Sequence, residues 1–359
     1  SEFKSPYSPK DIEQFNFNYS VSFLIDQKTD AEISISKSEH SNNHFRPDII
    51  DSRFLAAIKG NGGPDGDQTW NIFDSNQNSQ SLIDYVRGAE VSSKIADFIS
   101  LNGIFNTNKK GFNLAYGFQL NRESLDIHYD EISRAEFDKD GKLIKTADLF
   151  FLGGGINLSK SRNSNAIFFE LEKNAFENLD IRLAARYESM KNESSFDPKI
   201  SFKYQITDTL NIRFSKGTAF SLPSMAQMFS SEINLGSVRD ISSSVFVRQA
   251  SIGNPNLKPA TSKNSNLGLI FQKNNLRLSL DIWEIDYKDR IEVESAQAIL
   301  SSDPNGSSIT RNEFGDLIGV TTTYFNEDNT LIRGMDIQMQ YLIELIKGSL
   351  SINILGTNL

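Results

Sequence analysis

The chain has 359 residues, 37 basic and 46 acidic side chains, a net charge of −9, 38% hydrophobic residues and no cysteine. The missing cysteine removes disulfide scaffolds and cysteine-based metal or redox sites. The acidic balance, with no long Lys/Arg run, argues against a nucleic-acid coat, and no stretch approaches the ~18 consecutive apolar residues of a spanning helix.

Period-two alternation dominates the chain. Phe15, Phe17, Tyr19, Val21 and Phe23 alternate with Asn16, Asn18, Ser20 and Ser22. Phe112, Leu114, Tyr116, Phe118 and Leu120 repeat the pattern, then Leu179, Ile181, Leu183, Ala185 and Tyr187. Ile200, Phe202, Tyr204 and Ile206 follow, then Leu210, Ile212 and Phe214, then Leu276, Leu278, Leu280 and Ile282. Twelve strands are expected in all, near 14–25, 30–38, 91–105, 111–123, 163–173, 178–190, 198–206, 209–218, 262–273, 275–288, 332–344 and 347–357. A short helical turn is expected over 222–229, and no long amphipathic helix.

Connections alternate between short and long. Short ones fall near 26–29, 106–110, 174–177, 207–208, 274 and 345–346. Long unstructured ones, rich in Ser, Asn, Asp and Gly, fall near 39–90, 124–162, 219–261 and 289–331, with an intermediate link at 191–197. Short turns at one end and long loops at the other are the layout of a transmembrane antiparallel β-barrel in an outer membrane. The competing class is a soluble β-sandwich with a Phe-rich core. In a barrel only alternate residues face lipid, so low hydropathy is permitted. Arg182, Arg186, Arg213 and Arg277 would each cost roughly 2–4 kcal/mol on the lipid face at midplane, so they are expected to point inward.

Several ordered strings carry a family resemblance. They are Phe151-Leu-Gly-Gly-Gly, Asp197-Pro-Lys-Ile-Ser-Phe-Lys-Tyr, and Leu210-Asn-Ile-Arg-Phe-Ser-Lys-Gly-Thr-Ala-Phe-Ser-Leu-Pro-Ser-Met. Gly253-Asn-Pro-Asn-Leu-Lys-Pro-Ala-Thr-Ser, the strand from Leu278 through Trp283 to Ile291, and Arg333-Gly-Met-Asp-Ile follow in order. Together they resemble the barrel of TonB-dependent outer-membrane receptors. Asp197, Pro198, Gly217, Pro223, Gly253, Asn254, Pro255, Leu257, Lys258 and Pro259 are its structural motif positions here. The resemblance implies a 22-stranded barrel closed by an N-terminal plug, energised import of a scarce solute, and no bond-making chemistry. The partners it implies are outer-membrane lipid and lipopolysaccharide, the plug and, through it, the TonB complex. Residues 1–359 are expected to be part of that barrel domain, a fragment lacking plug and final strands, since Ser1-Glu-Phe-Lys-Ser-Pro carries no signal pattern.

Each candidate site also has a structural explanation. Trp70, Phe73, Phe137, Phe246 and Tyr324, with Phe45 and Phe325, could stack on a ligand or serve loop packing and the interfacial girdle. Arg186 and Arg213 could bind an anionic ligand or face the plug. The two prolines of 253–259 fix the descent into the next strand. Asp138-Lys-Asp-Gly lacks the later ligands of a calcium loop and reads as a hairpin tip centred on Asp140-Gly141. The glycines of 60–66 and 153–155 lack phosphate-loop spacing. His40 and His44 are placed in a solvated loop, and Asp286, Asp289, Glu292 and Glu294 are solvated charges. No catalytic constellation, metal site or cofactor is expected. Three readings follow: an import receptor for a metal chelate, cobalamin-like molecule or oligosaccharide; a passive porin-like channel; or a soluble extracellular binding module.

Overall fold

The computed structural model describes residues 10–109, 111–138, 143–190, 193–241 and 243–359. The chain opens with β1 (Lys10–Asp26) and β2 (Thr29–Ile49), then two helices, α1 (Asp51–Ile58) and α2 (Gln80–Val86). β3 (Arg87–Lys109) and β4 (Phe112–Tyr129) precede a small hairpin of β5 (Glu136–Phe137) and β6 (Leu143–Lys145). Four strands follow: β7 (Leu158–Phe176), β8 (Leu179–Met190), β9 (Ser194–Thr207) and β10 (Leu210–Ser221). α3 (Met225–Phe229), β11 (Ser231–Asp240) and β12 (Ser243–Ile252) lead to β13 (Ala260–Lys273) and β14 (Leu276–Lys288). β15 (Arg290–Val293), α4 (Ala296–Ser302), β16 (Ile309–Arg311) and β17 (Leu317–Glu327) lead to β18 (Thr330–Leu345) and β19 (Gly348–Asn358).

Twelve of these strands form one sheet in the order β1-β2-β3-β4-β7-β8-β9-β10-β13-β14-β18-β19, every pair antiparallel. At one end the connections are 27–28, 110–111, 177–178, 208–209, 274–275 and 346–347. Two of these links turn through left-handed backbone, at Gly111 (φ 95°) and Asn274 (φ 48°). At the other end the connections span 50–86, 130–157, 191–193, 222–259 and 289–329.

The register sorts the side chains. Phe23, Ala31, Phe105, Tyr116, Phe169 and Ala185 stand opposite one another across β1, β2, β3, β4, β7 and β8. Phe202, Phe214, Leu267, Ile282 and Met335 continue this face across β9, β10, β13, β14 and β18. Phe105 stacks on Tyr116 at 5.2 Å, and Phe202 lies 5.3 Å from Phe214. Most of these side chains are uncovered by protein, so their burial has to come from lipid. The opposite face carries Ser100, Gln119, Asn121, Arg182, Arg186, Arg213, Asp281 and Arg277. A soluble sandwich would bury the aromatic face, and this sheet does not.

The buried apolar clusters lie in the loops instead. Val238, Val247, Ala296, Leu300, Leu317 and Val320 form one, Ala57, Leu82 and Val86 a second, and Ala135, Ile233 and Ala250 a third. The first cluster underlies a second sheet, in which β11, β12, β17 and β15 pair in that order and β16 joins β17. Its parallel β12–β17 pair joins two loops that are far apart in sequence. Arg311 clamps the sheet by donating to both carboxylate oxygens of Asp240 at 2.8 and 3.0 Å.

Three expectations are corrected. The long connections are folded rather than unstructured: they hold helices and seven further strands among the described residues. β2 continues to Ile49, so His40 and His44 lie on a strand, opposite Ala96 and Ser92 of β3, not in a loop. Beyond the apolar band both strand faces are polar, so alternation fades while backbone pairing continues. The helical turn is shorter than expected, starting at Met225 behind a Ser224–Gln227 capping box. The hairpin tip expected at Asp140-Gly141 lies outside the described residues.

Two outcomes follow. In the full-length protein, Met339→Arg, on the outward face between Leu278 and Ile354, destabilises the folded barrel by roughly 2–4 kcal/mol. Gln338→Arg, one residue away on the other face, costs far less, as denaturant titration of both variants in lipid vesicles will show. In the loop sheet, hydrogen bonds from Arg311 hold the Asp240 carboxyl below the ordinary carboxylate value. That stabilisation is complete above about pH 4 and is lost as pH falls through the lowered native value. Proteolysis between β11 and β17 with an acid-active protease therefore rises as pH falls below about 4; Arg311→Gln abolishes the step.

Candidate ligand-binding and translocation face

The inward sheet face is a network of charges that the sheet itself pairs. Arg213 on β10 donates to both oxygens of Asp281 on β14, at 2.9 and 2.6 Å. The strand between them, β13, presents Gly268, where a Cβ would lie 2.2 Å from Asp281 Oδ1. Glycine there leaves the gap through which the pair meets. Arg186 donates to Glu188 at 2.6 Å and to Gln119, two strands away, at 2.7 Å. Arg182 sits 3.2 Å from Glu170 and 3.4 Å from Glu172. Trp283 Nε1 donates to Asp336 at 3.0 Å, and Asp336 also accepts from Thr357. Ser100 and Asn121 bond at 2.7 Å, continuing the polar face with neutral groups. The arrangement suits a wet or protein-filled lumen, and it orders no nucleophile against a base.

At the mouth the wall receives the loops. Arg162 pairs with Glu123 and donates to the Pro223 carbonyl at 2.6 Å, seating α3 against β4 and β7. Lys160 Nζ lies 5.2 Å from the Phe229 ring centroid. Beside this contact is a cavity of about 700 Å³, with Lys160, Met190, Met228, Phe229 and Leu257 among its lining. Lys94 on β3 pairs with Glu232 of β11, and Arg46 donates to the buried Glu90 at 2.6 Å.

The family-motif residues have structural work. Asp197 accepts from Ser195 at 2.7 Å and Thr218 at 3.0 Å, tying β9 to β10. Pro198 stands opposite Ala185. A Cβ at Gly217 would lie 3.1 Å from Lys199 Cβ. In 253–259, Gly253 N donates to Ser230 O at 2.8 Å and leaves no room for a side chain beside Phe229 N. Asn254 donates to Tyr324 O at 2.8 Å, and Lys258 N donates to Asn326 at 2.9 Å. Leu257 is buried between Pro255 and Pro259. The segment joins α3, β17 and β13.

The loop aromatics are spread over several segments. Trp70 meets Phe54 edge-on at 5.7 Å and packs on the cluster of Ala57, Leu82 and Val86. Phe137 packs on Ala135, Ile233 and Ala250. Tyr324 sits on β17, while Phe73 and Phe246 are 95% and 79% exposed. Phe45 is on β2 and Phe325 on β17. Of the loop carboxylates, Glu294 accepts Thr323 N at 2.8 Å, and Glu292 lies 3.3 Å from Arg290. Hydrogen bonds from Arg290, then Thr330, hold the Glu327 carboxyl low, whereas burial pushes that of Asp51 up. Among the described residues no group of three or more His, Asp or Glu could hold a metal ion.

Asp281, Gln119, Glu123 and Asp336 escape a reading of the sequence alone. Their partners are two strands or more than twenty residues away, and only the register reveals them. The one signal in the sequence is charge parity: an inward arginine needs an inward carboxylate at matching height.

Residues 4–358 match the family model described as TonB dependent receptor-like, beta-barrel. A probable TonB-dependent siderophore receptor, PirA, of Acinetobacter baumannii is 28% identical over 113 residues, 31% of this chain and 15% of that protein. Heme/hemopexin utilization protein C of Haemophilus influenzae is 26% identical over 162 residues, 42% of this chain and 20% of that protein. The fold superposes on the ferric enterobactin receptor PfeA of Pseudomonas aeruginosa with a TM-score of 0.58 at 12% identity, covering 100% of this chain and 54% of that one. The crystal structure of the Acinetobacter baumannii PirA gives 0.53 at 14%, covering 92% and 51%. The chain thus spans about half the length of these solved receptors. Its aromatic lipid face, polar inner face and folded outer loops are those of a receptor barrel rather than an enzyme, and the chain belongs to the TonB-dependent receptor family.

Proposed function

We propose that residues 1–359 form part of the barrel domain of an outer-membrane import receptor in a Gram-negative bacterium. The receptor binds a scarce extracellular solute and imports it with energy from the TonB complex. The observation that carries this reading is the asymmetry of the sheet: two-residue turns at one end, and at the other large folded loops with their own apolar cores. A passive channel needs no such investment at its mouth. In this reading the outward face meets lipid and lipopolysaccharide, and the inward arginines face a plug domain that couples to TonB. Among metal chelates, cobalamin-like molecules and oligosaccharides, an iron chelate is favoured. The sequence relatives are described as siderophore and heme/hemopexin proteins, and the solved relatives include one described with enterobactin.

Deleting the gene in its host and following uptake of radioactive iron as chelates and as haem tests this. Uptake of at least one iron source should fall to the level of a strain lacking TonB, and the full-length gene should restore it. Uptake that persists without TonB, or that collapses equally for small uncharged solutes, would make the protein a passive channel.

A further inference from the structure

The three consecutive glycines 153–155 lie on no barrel strand, yet they sit where the extracellular loops meet. The segment 148–156 runs between two bodies. At its start it is clasped by Asp48, a buried carboxylate at the top of β2. Asp48 accepts Leu152 N at 2.8 Å, Phe151 N at 3.1 Å and Ile49 N at 2.8 Å. Phe150 N donates to Ile49 O at 2.9 Å, and Leu149 bridges Ile50. Asp148 accepts Ser52 N at 2.8 Å and Ser52 Oγ at 2.6 Å, at the first turn of α1. The loop 50–86 is thereby fixed to the segment.

At its other end the segment is bonded to the loop sheet. Ile233 N donates to Gly154 O at 2.9 Å, Ile156 N donates to Ser231 O at 3.2 Å, and Gly155 bridges Glu232. Arg248 of β12 reaches across to donate to Leu149 O at 3.0 Å. The glycines permit this closeness. A Cβ on Gly153 would lie 2.3 Å from Ile233 Cγ2, and one on Gly154 would lie 1.9 Å from Ser133 O. Gly154 also has φ +68°, a conformation that favours glycine.

We infer that 148–156 is a strap, with Asp48 as its positioning residue, that makes the loops 50–86, 130–157, 222–259 and 289–329 move as one body over the barrel mouth. A carboxylate accepting three backbone N–H groups is a strong and orienting contact, because charge-assisted hydrogen bonds are about twice as strong as neutral ones. The two long loops contributing β11, β12 and β17 are already one sheet, so the strap has only to join that sheet to the loop 50–86. The inference rests on the import reading for its purpose, since a single moving body would close on a solute. The geometry and its test stand apart from transport.

The test uses the full-length receptor in detergent, with spin labels on Ser75→Cys and Ser244→Cys, both exposed, in a chain that contributes no other cysteine. With the strap intact, the label distance is a single narrow distribution. Asp48→Asn keeps one oxygen acceptor but sets an amide NH₂ against backbone donors. It should broaden the distribution while the barrel keeps its heat-modifiable migration on gels. Backbone amides of Leu152 and Ile233 should then exchange with deuterium roughly tenfold faster, together. Gly154→Ala, which breaks the other end, should give the same broadening. Should that variant not fold, the Asp48→Asn result and the common opening of Leu152 and Ile233 in the unsubstituted protein decide the matter. A broad distribution with the strap intact, or faster exchange at Leu152 without change at Ile233, overturns the inference. An Asp48→Asn distribution as narrow as that of the unsubstituted protein also overturns it, whereas a narrow distance in an unsubstituted receptor that supports no TonB-dependent iron uptake would count against the import reading alone.

Discussion

A backbone amide in hydrocarbon has no water to bond, and everything else in this protein follows from that constraint. A strand placed there must pair on both edges, so neighbours in the chain pair in order and a meander results. Pairing fixes the pleat, and the pleat fixes two faces. Charges on the lipid face are costly, so Arg182, Arg186, Arg213 and Arg277 share the other one with Asp281, Glu188, Glu170 and Glu172. The apolar set left outside, from Phe23 to Met335, is therefore exposed by necessity. What would be an aggregation hazard in water is the membrane anchor here.

Turning the charges inward creates its own problem. An arginine facing a lumen needs a partner at the same height, and the nearest inward positions are on adjacent strands. Arg213 instead reaches over Gly268 to Asp281, and Arg186 reaches across β7 to Gln119. Such reaches tie strands that share no backbone bonds. Breaking the Arg213 pair would leave Asp281, itself largely buried, without its cation, and removal of one partner is the costly way to disrupt such a pair. The inner network is thus both a lining and a set of cross-strand ties.

The membrane strands were legible from residues because lipid imposes a period of two. Phe15 to Phe23, Leu179 to Tyr187 and Leu276 to Ile282 announce strands whose bounds differ from those expected by a few residues. Above the band the imposing solvent changes. His40, Ser41, Asn42, Asn43 and His44 alternate nothing, yet they continue β2, because β3 offers a backbone ladder. The loop sheet was illegible for a different reason. Its parallel pair joins Arg248 to Gly319 and Ile252 to Thr323, and nothing in either local pattern names the other. The glycines 153–155 were visible as a run, but their need for closeness appears only against Ser133, Ile233 and Ser231. Sequence patterns record local environment; contacts between distant loops are recorded only as gaps left for a neighbour.

The distribution of burial therefore divides the molecule by solvent. In the membrane region the sheet has no protein core, and its order rests on backbone pairing and inward ion pairs. In the extracellular region the loops behave as soluble protein. They bury Val247, Val320, Leu82 and Ile233, cap helices with Ser79, Ser224 and Ser295, and close turns with Asn71 and Asn312. The two regimes meet along the tops of β2 and β3, where Asp48 and Lys94 each hold a partner beyond the sheet's own ladder. A surface that recognises a solute must hold its shape in water, and one that sits in lipid must hide its charges. These tops are where one chain satisfies both demands, so substitutions there should perturb the loops more than the wall.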